Sequence, residues 1–201
     1  LRRKPGAYTQ RRTSGELHST FNLSKGSNFD LSLNPAKGTV YLQYGASNIP
    51  LYPILRQLGV PHEDIAKHLG TGIADANRME HGHQGEAAIS KLYAKLIHQS
   101  VMDPKAPHEV KLQEVRKKLD LTAMNPEVTH TTLGARHDKV TPTALLDASR
   151  KLLRVHDGHE EVDDADSLAY KTFHSVDDYL SERIKLTARA WAPKVRLALN
   201  G

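Results

Sequence analysis

One change in the spacing of apolar residues, at Ile49, constrains the fold of this chain more than any other feature. Before it, within residues 16–44, apolar and polar residues alternate, which is the period of a half-buried strand. Residues 34–38 interrupt the alternation with a proline and a glycine, as a hairpin loop does. Beyond Ile49 the apolar residues recur at helical spacing. We therefore predict a hairpin over residues 29–44 and a helix over residues 50–59 packed against it.

The rest of the chain is predicted as helices joined by polar loops. Thr141 followed by Pro142 is typical of a helix start, with a capping side chain and then a proline in the first turn. Three of the predicted helices begin at Pro61, at Pro142 and after Ser175, and two more cover residues 86–99 and 108–119. The predicted loops and linkers are residues 70–86, 100–108, 120–140 and 156–166.

The charge of the chain favours an anionic partner, nucleic acid above all. Its 28 Lys and Arg outnumber its 23 Asp and Glu, for a formal net charge of +5.

The absence of cysteine excludes disulfides and cysteine zinc sites, and is compatible with a reducing cytoplasm. No apolar run approaches the roughly 18 residues of a membrane span. The basic start does not resemble a signal peptide and lacks Met, so we expect a piece of a longer chain.

Two groups of residues are candidates for metal chemistry. The chain has 12 histidines, among them the pair His81 and His83. His62 and His68 are six positions apart, whereas a zinc-protease helix needs two histidines four apart on one face. We therefore interpret the histidines as solvated.

The acidic residues of the 156–166 loop would suit magnesium, because closely spaced carboxylates hold this ion. No complete ligand set or dedicated cation loop is present in the sequence. We favour a solvated acidic loop, or carboxylates that orient neighbouring Lys and Arg side chains. The residues concerned are Glu160, Glu161, Asp163, Asp164 and Asp166.

Several segments resemble the beta subunit of multisubunit DNA-directed RNA polymerases. Residues 26–35, 40–43 and 49–59 have the strand–hairpin–helix order of bacterial beta subunits, ending in the family's Leu-Arg-x-Leu-Gly. Residues 163–176 resemble the family's Asp-Asp-Ile-Asp-His-Leu-Gly-Asn-Arg-Arg segment and its continuation, without a gap. Residues 1–6 are similar to its Arg-Ser-Pro-Gly stretch. The resemblance covers both ends of the chain well and the middle poorly.

The sequence also departs from the family and has a compact middle, and this drift resembles the split polymerases of large bacteriophages more than a cellular enzyme. The departures are Ser167 for His, Ala169 for Gly, Tyr170 for Asn, Lys171 and Thr172 for the Arg pair, and His174 for Arg. The resemblance implies an α+β fold, a beta-subunit lobe with helices packed on small antiparallel sheets, plus part of the protrusion. It implies a strand-rich segment 1–48, a mostly helical lobe 49–160 and a return segment 161–201.

The resemblance implies that the chain forms a wall of the DNA channel and contacts non-template and downstream DNA. Its partners would be DNA, the C-terminal part of the beta subunit and a beta-prime type subunit. In the family the beta-prime subunit holds the catalytic Mg²⁺, so no catalytic residue, metal or cofactor is expected in this chain, and no nucleotide incorporation by it alone. The expected location is the cytoplasm of a bacterial host, or the virion of a phage.

The resemblance also implies DNA-binding residues, carried over from a pocket that reads the non-template strand. They are Arg3, Asp166, Lys171 and His174. An Asp accepts from a base amino group and a cation neutralises phosphate, but Lys in place of Arg weakens base discrimination. The family's stacking Trp falls on Asn28, and Phe29 would face the other side of its strand. We expect Arg3 and residues 166–171 to come together in space.

Two other functions remain open from the residues alone. One is a free-standing basic nucleic-acid binder, in which the Arg- and Lys-rich N-terminus makes the contact. The other is a small metal hydrolase that uses His81, His83 and the acidic loop. The first would be monomeric and bound to DNA, the second would retain metal through dialysis, and a polymerase fragment would need partner chains.

Overall fold

The computed structural model of the protein describes residues 2–97, 101–164 and 167–172, with the backbone alone at Arg2, Leu168 and Thr172. The chain forms two compact units, Lys4–Ala165 and Leu1–Arg3 with Asp166–Gly201. In the second unit, strands β1 (Arg2–Arg3) and β7 (Lys171–Thr172) pair. Asp166, His174 and the helix predicted after Ser175 lie outside the described residues.

A five-stranded antiparallel sheet is the centre of the larger unit, and its strands are adjacent in chain order. The strands are β2 (Gly6–Arg11), β3 (Leu17–Asn22), β4 (Phe29–Asn34), β5 (Thr39–Tyr44) and β6 (Ser47–Pro50). The hairpin predicted over residues 29–44 is confirmed, because β4 and β5 pair along their length. Gly38, at the end of its turn, has a φ of 62°, a conformation that favours glycine.

One face of the sheet carries the apolar residues of the alternating pattern. Leu31, Leu42 and Ile49 are Cα partners in neighbouring strands, and each is at most 2% exposed. Phe21 and Phe29 stack beside them with ring centroids 4.6 Å apart. Burial of each such side chain contributes about 1.5–3 kcal/mol. Phe29 therefore faces away from the polar face, as predicted.

In the part of the chain that the structure describes, seven α-helices follow the sheet. They are α1 (Leu51–Gln57), α2 (His62–Leu69), α3 (Thr71–His81), α4 (Gly85–Leu96), α5 (His108–Asp120), α6 (Pro126–Leu133) and α7 (Pro142–His156). The helices predicted from residue 50 and from Pro61, and over 86–99, 108–119 and from Pro142, are confirmed within a few residues at their ends. The loop prediction for residues 156–166 holds over the described residues 157–164.

The loops predicted over residues 70–86 and 120–140 are wrong, because α3 and α6 lie there. α3 was missed because it has little apolar stripe: its buried residues are Ala74, Asn77 and His81. α6 has clear end signals that were overlooked. The Asn125 side chain accepts from two backbone N–H groups of the first turn, and Gly134 ends the helix in the left-handed conformation.

α7 is one of the helices that pack directly on the sheet. The Thr141 side chain caps it by accepting from the backbone N–H of Ala144 at 3.1 Å. Leu145 and Leu152 are at most 1% exposed, and the helix packs on β2, β3, β4 and α2. Strands and helices thus share one core. The α+β class is shown. No helix in the described ranges combines the length and apolarity needed to cross a bilayer.

Candidate functional site

The two-stranded ribbon of the smaller unit brings two predicted site residues together. β1 and β7 pair in antiparallel register, with Arg3 opposite Lys171 and Arg2 opposite Thr172. No local pattern explains this pairing, because the whole larger unit lies between the two strands in the sequence. The spatial part of the prediction is confirmed for Arg3 and Lys171. Binding of DNA by this pair stays a prediction.

The pairing places two cationic side chains on one face of the ribbon, because directly opposite residues of an antiparallel pair project to the same side. Like charges directly opposite each other repel, and an anion that contacts both side chains is attracted by both. Arg offers a planar fork of donors, whereas Lys offers a point charge. The pair at Arg3 and Lys171 can therefore neutralise a phosphate group, with one fixed and one adaptable contact.

A polar cleft of about 450 Å³ lies on the larger unit, at the face of the sheet opposite the core. Asp30, Gln43 and Asn48 form its floor as Cα partners across three strands. Arg12 reaches over them and donates to Asp30 at 2.9 Å and to Gln43 at 3.4 Å. The cleft therefore offers amide, carboxylate and guanidinium groups, and its cation is paired with Asp30.

Asn28, on which the family's stacking Trp falls, lies at the edge of this cleft. Its Oδ1 accepts from the backbone N–H of Leu23 at 2.8 Å, and its Nδ2 donates to Asn22 at 3.3 Å. These bonds close the turn between β3 and β4. The turn therefore presents an amide where the family has an aromatic ring, and the neighbouring Phe29 is 4% exposed on the opposite face.

A buried ion pair fixes the acidic loop to the sheet. Asp163 Oδ1 lies 2.6 Å from Lys151 Nζ, and these side chains are 8% and 7% exposed. Asp163 also binds Thr9 twice: its Oδ2 accepts from Thr9 N–H at 2.7 Å, and its own N–H donates to the Thr9 carbonyl at 2.7 Å. Burial raises the pKa of the Asp163 carboxyl above its ordinary value, and the hydrogen bonds from Lys151 and Thr9 counter part of that rise.

The acidic loop is thus held partly by basic side chains of α7. Besides the pair at Asp163, Glu160 lies 3.1 Å from Arg154. The interpretation of carboxylates that orient neighbouring Lys and Arg side chains is confirmed for Asp163 and Glu160. Glu161 and Asp164 are exposed, and Asp166 lies outside the described residues.

The histidines are not uniformly solvated, so that interpretation is wrong for part of the set. His81 is 7% exposed, and neither ring nitrogen has a hydrogen-bond partner. Its ring meets Tyr41 edge-on at 5.9 Å, and burial lowers its pKa. His62 lies between Tyr52 at 2.9 Å and Asp75 at 3.0 Å.

Metal chemistry gains no support from these positions. Among the described residues, no group of three or more His, Asp and Glu side chains is arranged to hold a metal ion. His83 is exposed, next to the buried His81. The buried imidazole of His81 packs against the Tyr41 ring, and the carboxylate of Glu80 lies 3.8 Å from its Nε2.

One buried polar pair was missed from the sequence. His137 Nε2 lies 2.9 Å from Asp147 Oδ2, with both side chains at most 8% exposed, and Arg150 donates to the other carboxylate oxygen at 3.0 Å. The sequence does contain a signal for this pair, because Asp147 lies between two apolar residues of α7. A carboxylate at such a position is buried and needs a hydrogen-bonding partner. This pair ties the segment after α6 to α7.

The chain has no match among models of known protein families, and none among curated proteins.

Proposed function

We propose that the chain is part of a beta-type subunit of a DNA-directed RNA polymerase, where it helps to form a wall of the DNA channel. Its role is to contact non-template and downstream DNA, while a beta-prime type subunit supplies the Mg²⁺ site and the chemistry. The proposal places the chain in the cytoplasm of a bacterial host or in a phage particle. It rests on the resemblance of the sequence segments described above.

The observation that carries the proposal is the pairing of Arg3 with Lys171. The resemblance assigns both positions to one DNA-contacting set, although 168 positions of sequence separate them. The formal net charge of +5 is consistent with a polyanionic partner. A cation pair on one face of a short ribbon suits a phosphate group of a DNA strand.

The test is Lys171→Ala in the assembled polymerase that contains this chain. We expect weaker binding of open-complex DNA and a salt dependence with a slope lower by about one, because one phosphate contact is lost. The matched control is Lys67→Ala, which removes an exposed lysine of α2 that the resemblance does not assign to the DNA-contacting set. Unchanged affinity and slope in Lys171→Ala, in an assembled enzyme, would contradict the proposal.

The proteins that bind this chain distinguish a polymerase subunit from a free-standing basic nucleic-acid binder, because both would use the same cations. A tagged chain expressed with its native partners should co-purify with the other polymerase subunits, identified by mass spectrometry. A monomer that binds DNA with the same salt slope and without partner chains would favour the free-standing binder instead.

A further inference from the structure

The contact between Thr9 and Asp163 joins the two stretches of chain that lead to the Arg3–Lys171 pair. Thr9 follows Arg3 by six positions, and Asp163 precedes Lys171 by eight. Thr9 lies in β2, at the edge of the five-stranded sheet, and Asp163 lies in the acidic loop after α7. The outgoing and the returning chain are therefore held side by side at this point.

We call this contact the rung, although one of its two hydrogen bonds ends on the Asp163 carboxylate rather than on a backbone carbonyl. Both backbone polar groups of Thr9 are used, since its N–H donates to Asp163 Oδ2 and its carbonyl accepts from Asp163 N–H, each at 2.7 Å. The Thr9 side chain is fully buried, and its Oγ1 lies 2.7 Å from Ser19 Oγ on β3. The rung is thus built into the edge of the sheet.

Lys151 anchors this rung to two helices. Its Nζ lies 2.6 Å from Asp163 Oδ1 and donates to the Thr132 carbonyl of α6 at 2.5 Å. The residue itself belongs to α7 and is 6% exposed. A buried charge pair with additional hydrogen bonds has a defined geometry, which an exposed pair between long side chains lacks.

We propose that Lys151 and Asp163 are positioning residues that set the closure and register of the Arg3–Lys171 pair. This role rests on the proposed function of that pair. A two-stranded ribbon of this length has little stability and weak register of its own. It therefore depends on how closely the rest of the chain brings its two strands together.

The change in loop length sets a lower limit on how far closure of the ribbon should fall when the rung opens. With the rung closed, fourteen positions of chain, six before Thr9 and eight after Asp163, join Arg3 to Lys171. With the rung open, the returning chain is next held near the end of α7, where His159 N–H donates to the Arg154 carbonyl at 2.8 Å. The longer loop lowers the closure probability by about 1.5-fold, because this probability falls as the three-halves power of length. Loss of the antiparallel orientation adds to this reduction.

The test measures closure of the ribbon directly, in the full chain and without DNA. Because the chain has no cysteine, Arg2→Cys with Thr172→Cys introduces the only possible disulfide, at positions that are Cα partners. Its equilibrium with glutathione gives the effective concentration of the two strands. A pair shifted by two residues, Lys4→Cys with Thr172→Cys, reports slipped register. Hydrogen exchange of the Thr9 amide reports whether the rung is open.

We expect Lys151→Met and Asp163→Asn to speed exchange at Thr9, to lower the effective concentration by at least about 1.5-fold and to raise the slipped fraction. Lys151→Arg should leave all three quantities close to those of the unmodified chain, since a cation remains. The matched control is Arg154→Met, which removes an exposed pair with Glu160 from the same helix and should change neither. Far-ultraviolet circular dichroism checks that each variant is folded, and Asp163→Asn keeps the test open if Lys151→Met does not fold.

An open rung with unchanged effective concentration and register overturns the positioning role. So does a rung that stays closed in both variants, because Lys151 and Asp163 then do not hold it. The DNA experiment with Lys171→Ala fails or succeeds separately, since the disulfide measurement involves no DNA. A positive disulfide result with no effect of Lys171→Ala would retain the positioning role and remove the proposed function.

Discussion

Gly6 sits where β2 and α6 approach each other too closely for any side chain. A Cβ built on Gly6 would meet a methyl carbon of Val128, at a separation far below van der Waals contact of about 3.5–4.0 Å. Val128 is 4% exposed and β-branched, so its rotamer in a helix is nearly fixed. A small rotation of the Val128 side chain therefore cannot make room for the added methyl group, so β2 or α6 would have to move.

Gly6→Ala should lower the free energy of unfolding by about 1–2 kcal/mol. Overpacking of a close contact costs about 1–3 kcal/mol, and replacement of a strand glycine offsets roughly 0.5–1 kcal/mol of this by reducing the entropy of the unfolded chain. The measurement is urea unfolding followed by circular dichroism. The midpoint should fall while the slope stays unchanged.

Val128→Ala supplies the matched background, because it removes the methyl group that the new Cβ would strike. In that background the Cβ at position 128 remains 3.2 Å from the new atom, so Gly6→Ala should be close to neutral rather than stabilising. The double-mutant cycle should therefore give a coupling of about 1–2 kcal/mol between the two positions. An equal cost of Gly6→Ala in both backgrounds would refute this account of the contact.

Two further perturbations test other parts of the larger unit. Burial lowers the pKa of His81, so the unfolded chain takes up a proton first as the pH falls below the ordinary value of 6.5. The free energy of unfolding should therefore fall as the pH is lowered from about 6.5. In urea titrations at several pH values, His81→Leu should make this dependence on pH weaker. The same dependence on pH in the variant would contradict its assignment to His81. Thr141→Ala removes the cap of α7 and should lower the free energy of unfolding by about 1 kcal/mol. The control Thr131→Ala, at an exposed position in α6, should change it by less than about 0.5 kcal/mol. Equal effects of the two substitutions would argue against capping by Thr141.

The part of the fold that could be predicted is the part in which burial and local conformation coincide. The alternation around Leu31 and Leu42 and the start of α7 at Thr141 each carry a local cause, and the structure has both as expected. α3 could not be predicted in this way, because it buries Ala74, Asn77 and His81 rather than an apolar stripe. Its burial is decided by tertiary packing, which no periodicity in its own sequence records.

The buried charges of the larger unit show a similar limit. The acidic loop was correctly expected to orient basic side chains, yet nothing in its sequence distinguishes Asp163 from the exposed Asp164. Asp163 is selected because the edge of β2 offers Thr9 and because α7 presents Lys151 from the opposite side. Such a choice depends on a contact with β2, which lies 154 positions earlier in the sequence. Hydrophobic spacing can locate the elements but not the carboxylate that they enclose.

The pairing of Arg3 with Lys171 differs from both cases, because neither burial nor local conformation implies it. Each strand has two residues, and at one of the two paired positions the cation Arg3 lies opposite the cation Lys171. From the residues alone one would sooner expect the two ends of the chain to remain apart. Only the resemblance to polymerase beta subunits led to the expectation that they meet, through a chain that leaves one layer and returns to it. The pairing therefore supports the proposed function by a route that composition, charge and periodicity could not supply.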